Sequence, residues 1–147
     1  MIALLQRVAR ARVEVAGATV GAIEGGLLMF VCAEPLDTDA IAERLVAKVL
    51  KLRLFADAAG KMNRSVVDVG GGLLIVSQFT LAADVSAGNR PSFTGAAPAE
   101  QGKRLYERAV DAARAQHAPV AAGLFGADMQ VHLINDGPVT IPLTLRV

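Results

Sequence analysis

Leu27 to Ala33 reads Leu-Leu-Met-Phe-Val-Cys-Ala, an unbroken apolar run. It is far too short to cross a bilayer, which takes ~20 apolar residues. Its Phe and Val, with the Glu24-Gly25-Gly26 turn ahead of it, mark a strand buried on both faces. Such a strand needs cover on each side, which a layered domain supplies. The remaining elements fit around it. Ile2 to Val15 alternates as a long strand, and Pro35 with Asp37-Thr38 supplies a break and a helix N-cap. Ile41, Leu45, Val49 and Leu52 then form a helical stripe, with Glu43, Arg44, Lys48 and Lys51 off it. Gly70-Gly71-Gly72 punctuates before a second apolar strand, Leu73 to Thr80. Ala82 to Gly95 reads as a loop longer than the ~4–6-residue median, hence a functional suspect. A second helix starts at Pro98 and ends before Pro119. Met129 to Ile134 and Val139 to Val147 read as two strands joined by Asn135-Asp136-Gly137-Pro138. The expectation is one α+β domain over residues 1–147, with mainly antiparallel sheets forming a barrel-like core and two helices packed on it.

Composition removes several classes of function. The single cysteine, Cys32, excludes an internal disulfide and a thiolate zinc site, and suggests a reducing compartment. The two histidines and scattered carboxylates show no ligand spacing, so no metal is expected. The glycine runs are not followed by Gly-Lys-Ser/Thr, so no P-loop and no cofactor is expected. The opening residues lack the pattern of a signal peptide, and no membrane partner is expected; the reading is a cytoplasmic protein. A net charge of +1 lacks the footprint of a strong non-specific nucleic-acid binder, yet leaves room for one that grips only an RNA end.

Function shows where a residue disagrees with its local pattern. In a strand, alternate residues share a face, which groups Arg7 with Leu5, Ala9, Ala11, Val13 and Val15. A guanidinium on an apolar face either snorkels to the edge, pairs with a core carboxylate, or holds carbonyl or phosphate oxygens as a planar donor fork. Ser77-Gln78-Phe79-Thr80 ends an apolar strand at the long loop, where sites are often built. Its hydroxyls are nucleophile candidates only if a base is near, and His117 and His132 fall at a helix end and on a polar strand face. The plain alternative is a polar strand end that satisfies its own backbone. Gly137-Pro138 reads as an ordinary turn, or as main chain presented bare to sense the bulk around a substrate's α-carbon. Gly102 interrupts the stripe of Leu105, Tyr106, Ala109 and Ala113, which implies a close approach by the sheet or by a ligand. Arg90-Pro91-Ser92-Phe93 sets a cation beside an aromatic, either to stack on a nucleobase or as a solvated loop with one anchor.

These oddities together resemble one family, the bacterial D-aminoacyl-tRNA deacylases, over nearly the whole chain. The likeness runs through Ile2-Ala3-Leu4-Leu5-Gln6-Arg7-Val8, Gly60-Lys61-Met62-Asn63, Ser77-Gln78-Phe79-Thr80-Leu81 and Arg90-Pro91-Ser92-Phe93. It closes with Ala127-Asp128-Met129-Gln130-Val131 and Asn135-Asp136-Gly137-Pro138-Val139-Thr140. The resemblance implies a homodimer that hydrolyses the ester between a D-amino acid, or glycine mischarged on tRNA-Ala, and the terminal adenosine of tRNA. It implies a cis Gly137-Pro138 bond inserted from one subunit into the other's pocket to exclude L side chains, with Arg7 orienting the carbonyls. Ser77, Gln78, Phe79 and Thr80 would then be the catalytic stretch, with amides near Phe79 and Thr80 polarising the scissile carbonyl. Gly102, Met129 and Phe93 would line the substrate pocket.

The mechanism expected is hydrolysis assisted by the ribose 2′-hydroxyl, with L substrates rejected by clash alone. Two alternatives stand beside it: Thr80 as a covalent nucleophile, and a non-catalytic module that binds the aminoacyl end of RNA.

Overall fold

The computed structural model describes residues 1–147 as one six-stranded sheet, a two-stranded ribbon and two helices. The strands are β1 (Ile2–Val15), β2 (Ala18–Ile23), β3 (Gly26–Cys32), β4 (Phe55–Ala56), β5 (Met62–Arg64), β6 (Gly72–Ser77), β7 (Val120–Ala122) and β8 (Gln130–Thr144). The helices are α1 (Asp39–Lys51) and α2 (Ala99–Gln116). The large sheet runs β2-β1-β3-β6-β7, with β8 on the other edge of β1. The β1 pairings to β2, β3 and β8 are antiparallel, while β3–β6 and β6–β7 are parallel. The sheet is therefore mixed, and curls until its ends nearly close like a barrel. The closure shows at Gly21 of β2, where any Cβ would overlap Ala122 O of β7.

Two cores lie on the two faces of this sheet. One packs α1 and α2 against Ala3, Leu5, Leu27, Met29, Leu73 and Ile75. The other fills the barrel with Val8, Ala11, Val13, Ile23, Leu28, Leu74 and Val76. β3 and β6 feed both, as expected of strands with apolar side chains on each face. Thr38 caps α1, its hydroxyl accepting the Ile41 amide at 3.4 Å. The two helices are clamped to each other by Arg108 on Glu43, with Nε at 2.9 Å, and by Arg104 on Asp39.

Several sequence expectations need correction. Simple alternation along β1 fails at Ala9. A bulge there leaves Ala9 exposed and turns Val8, Ala11 and Val13 into the barrel, so Arg7 shares its face with Ala3 and Leu5 instead. The strand expected over Leu73 to Thr80 stops at Ser77, and Phe79–Ala82 form a 3₁₀ turn. Pro98 precedes α2 as its N-cap, its carbonyl accepting the Gly102 amide at 2.8 Å. The two C-terminal strands do not form a hairpin. Both halves of β8 run antiparallel to β1 in one direction, with Asp136 to Val139 bulging out between them.

The register of that bulge is well defined. Asn135 pairs with Val8 and Thr140 with Gln6, so four residues of β8 face the single Arg7. The same point divides the cores. Val131 and Leu133 pack into the barrel, whereas Ile141 and Leu143 pack on the helix side.

Candidate active site

Two regions gather the residues singled out in the sequence. The first is a cavity of about 600 Å³ between the end of β6, the start of α2 and the segment before β8. Ser77, Gln78, Phe79, Phe93, Gly102 and Met129 all line it. Thr80 follows on the 3₁₀ turn at its edge, where its Oγ1 accepts a hydrogen bond from Gln78 Nε2. Most of the wall is apolar, and Asp128 is its one carboxylate. A site of this shape holds a small organic group and orients it with few polar contacts.

The turn after Ser77 leaves main-chain donors beside the cavity. The Gln78 amide is tied back to Val31 O at 2.9 Å, which ends the ladder. Inside the turn, the first amide with a partner is that of Leu81, on Gln78 O at 3.2 Å. The Phe79 and Thr80 amides precede it and have no acceptor within the turn, as at any helix start. Cys32 Sγ lies 3.5 Å from Phe79 O and 3.4 Å from Ala33 O, so its one S–H has an acceptor on either side of the turn. Burial pushes the Cys32 thiol up, and nearby Glu34 adds to the effect, so it stays a neutral donor. At the mouth, Phe79 and Phe93 meet edge to face with centroids 5.2 Å apart, both substantially exposed.

The opposite wall is rigid. Tyr106 of α2 is buried and donates to Ile75 O at 2.9 Å, with Gly123 O a second, weaker acceptor at 3.4 Å. Burial pushes its phenol up to about 12. Its ring tilts against Phe125, centroids 5.9 Å apart. Gly102 has room here: a Cβ would sit 3.7 Å from Phe125 Cζ, an ordinary contact. The Met1 side chain closes the floor, its ammonium held by Asp37 at 2.8 Å and Glu34 at 3.0 Å. Arg146 and then the ammonium hold the Glu34 carboxyl below its usual range. Tyr106, Phe125 and Cys32 are wall residues that sequence reasoning did not assign. Tyr106 sits on the stripe with Gly102, which was the available signal.

Neither histidine reaches this cavity. His117 Nε2 lies 2.6 Å from Gly71 O, and His132 lies between Arg12 and Glu14 on the outer strand face. No group of three or more His, Cys, Asp or Glu side chains is arranged to hold a metal.

The second region is the β8 bulge, which the fold keeps apart from the chain's own cavity. Gly137 and Pro138 are exposed, and the bond between them is cis. Arg7 is mostly buried, with 17% of its side chain exposed, and spans two main-chain carbonyls. Its Nη1 donates to Leu54 O at 2.7 Å and its Nε to Asp136 O at 3.0 Å. The fork therefore holds the carbonyl just ahead of Gly137, not those of Gly137 or Pro138. Gly137 adopts φ +146°, and a Cβ there would press on Val139 at 2.8 Å and Arg7 Nη2 at 3.3 Å. Only glycine fits.

Known proteins resemble this chain along its length. The family model described as D-Tyr-tRNA(Tyr) deacylase matches residues 4–144. The chain is 71% identical to a D-aminoacyl-tRNA deacylase of Methylibium petroleiphilum, over 99% of this chain and 95% of that one. It is 68% identical to one of Variovorax paradoxus, over 99% of each. A solved structure of a protein named c-Myc DNA Unwinding Element Binding Protein superposes with a TM-score of 0.94 at 42% identity, covering 100% of both chains. Another, of a probable eukaryotic D-amino acid tRNA deacylase, superposes at 0.84 with 18% identity over 97% of each, a likeness of fold.

Proposed function

Because this chain belongs to the D-Tyr-tRNA(Tyr) deacylase family, we propose that it hydrolyses the ester of D-aminoacyl-tRNA and rejects L-aminoacyl-tRNA by a steric gate of bare main chain. The observation that carries the reading is a division of labour. The cavity offers a small apolar chamber with free amides at one end, and the Gly137-Pro138 tip stands exposed beside the sheet. The tip does not line its own cavity. A homodimer in which each tip enters the partner's cavity brings the two parts together, and the outer edge of β8 is free to support it.

In that assembly the terminal adenosine enters past Phe79 and Phe93, which provide ring faces for stacking. The aminoacyl group lies along Ser77 to Thr80, where the Phe79 and Thr80 amides accept the developing oxyanion. An L side chain would collide with Gly137 and Pro138. A D side chain points away, and glycine, having none, passes the gate; glycine mischarged on tRNA-Ala is thus a substrate too. The attacking water takes its activation from the ribose 2′-hydroxyl, in keeping with two histidines engaged elsewhere.

Deacylation of tRNA charged with D- or L-tyrosine tests the reading. The D ester should be released and the L ester spared; comparable release of both defeats the gate. Replacing the terminal 2′-hydroxyl with hydrogen should abolish turnover. A covalent route through Thr80 tolerates that change and fails in Thr80→Ala instead. The likeness to a protein named for binding a DNA unwinding element favours a second reading, a module that binds nucleic acid without turnover. Binding of aminoacyl-tRNA with no release of amino acid would establish it.

A further inference from the structure

Pairing between β1 and β8 stops at Asn135 and resumes at Thr140, and these two residues are bonded to each other. Asn135 Nδ2 donates to Thr140 Oγ1 at 2.9 Å. The other end of the same amide, Oδ1, accepts the Val139 amide at 3.0 Å. From the facing strand, Gln6 Nε2 donates to Thr140 Oγ1 at 3.3 Å. One side chain thus closes the neck of the bulge twice, and the strand opposite seconds it.

We propose that Asn135, acting through Thr140 and Val139, is a positioning residue for chiral discrimination: it sets where Gly137 and Pro138 stand relative to the sheet. The inference rests on the steric-gate reading and extends it to the residues that hold the gate. The bulge has two limbs. Arg7 ties the first at Asp136 O, and Asn135 ties the second at the Val139 amide. With both tied the tip cannot swing; with one released it pivots about the other. Rejection by clash needs the tip held to within ~0.5 Å. Turnover of a D substrate uses the far end of the cavity and needs far less of it. Loosening the clasp therefore admits L substrates before it harms D ones.

The chemistry of the clasp separates variants cleanly. Asn135→Ala removes both bonds. Asn135→Asp retains both, because the carboxylate accepts from the Val139 amide and from the Thr140 hydroxyl turned donor. Thr140→Val keeps the β-branched shape and removes only the hydroxyl. The test measures kcat and KM separately on D- and L-tyrosyl-tRNA for these variants and for Gly137→Ala, with folding checked by circular dichroism.

The expected result is an L-ester kcat/KM raised about tenfold in Asn135→Ala, a change of the order of one lost tie. The D-ester value should move less than about threefold, with Asn135→Asp near wild type and Thr140→Val between. Should Asn135→Ala misfold, Thr140→Val decides. The inference is overturned if Asn135→Ala and Thr140→Val keep the D-to-L ratio while Gly137→Ala changes it, or if Asn135→Asp behaves like Asn135→Ala. A Gly137→Ala protein with unaltered D rate and unaltered ratio counts against the gate itself.

Discussion

Tyr106 on the cavity wall is 5% exposed and anchored to main chain inside the core, whereas the tip at Asp136 to Pro138 is exposed throughout and tied only at its limbs. The wall is an extension of the apolar core, so whatever disturbs it disturbs folding. The bulge hangs outside both cores, so it can be deranged while the domain stands. On the proposed reading this contrast is one between binding and discrimination, so stability measurements should track one region while the D-to-L ratio tracks the other.

The strongest way to break this contrast is Leu105→Ala, next to Tyr106 and fully buried among the helix-side residues. It should cost ~2–5 kcal/mol in urea denaturation at fixed protein concentration, with the D-to-L ratio of the remaining folded protein unchanged. A shifted ratio would mean that core and gate are coupled. Next comes alkaline pH. The Tyr106 phenol is raised from 10.0 to about 12, so its contribution is fully present below pH 10 and lost as pH climbs through 12. The loss should reach about 2–3 kcal/mol, and Tyr106→Phe should flatten the stability profile over that window.

On the other side of the comparison, Arg7→Ala releases the Leu54 and Asp136 carbonyls. Stability should fall by about 1–2 kcal/mol, while the D-to-L ratio drops further than any core variant makes it. Arg7→Lys should fail to restore the ratio, because a single ammonium cannot reproduce the planar fork. The smallest effect belongs to Gly102→Ala, which fills space against Phe125 without strain. It should stabilise by about 0.5–1 kcal/mol and leave chirality untouched, raising KM only for bulky D side chains.

What could be read from the sequence follows the same division. β1, β3 and both helices announce themselves because burying apolar stripes is what they do, and their spacing repeats it. β2 and β7 do not. They are short and rich in Gly and Ala because Gly21 and Ala122 must let two backbones meet where the barrel closes, and small residues carry little strand signal. The candidate residues of the cavity were legible as polar exceptions at an element's end, but its aromatic wall was hidden, Tyr106 in the ordinary stripe of α2 and Phe125 in the segment after β7. Asn135-Asp136-Gly137-Pro138 has the chemistry of a reversal, and local chemistry cannot tell a reversal from a detour. Only the pairing of both flanks with β1 does so.

The detour also sits where β1 and β8 hand their apolar side chains from the barrel to the helix side. β3 and β6 serve both interiors by plain alternation, so the architecture alone does not call for the three extra residues that stand opposite Arg7. Ile141 and Leu143 are seated by their own pairs with Leu5 and Ala3, not by the number of residues in the detour. Descendants of this chain can therefore retune the protrusion by substitution or by length while the sheet beneath it stays as it is.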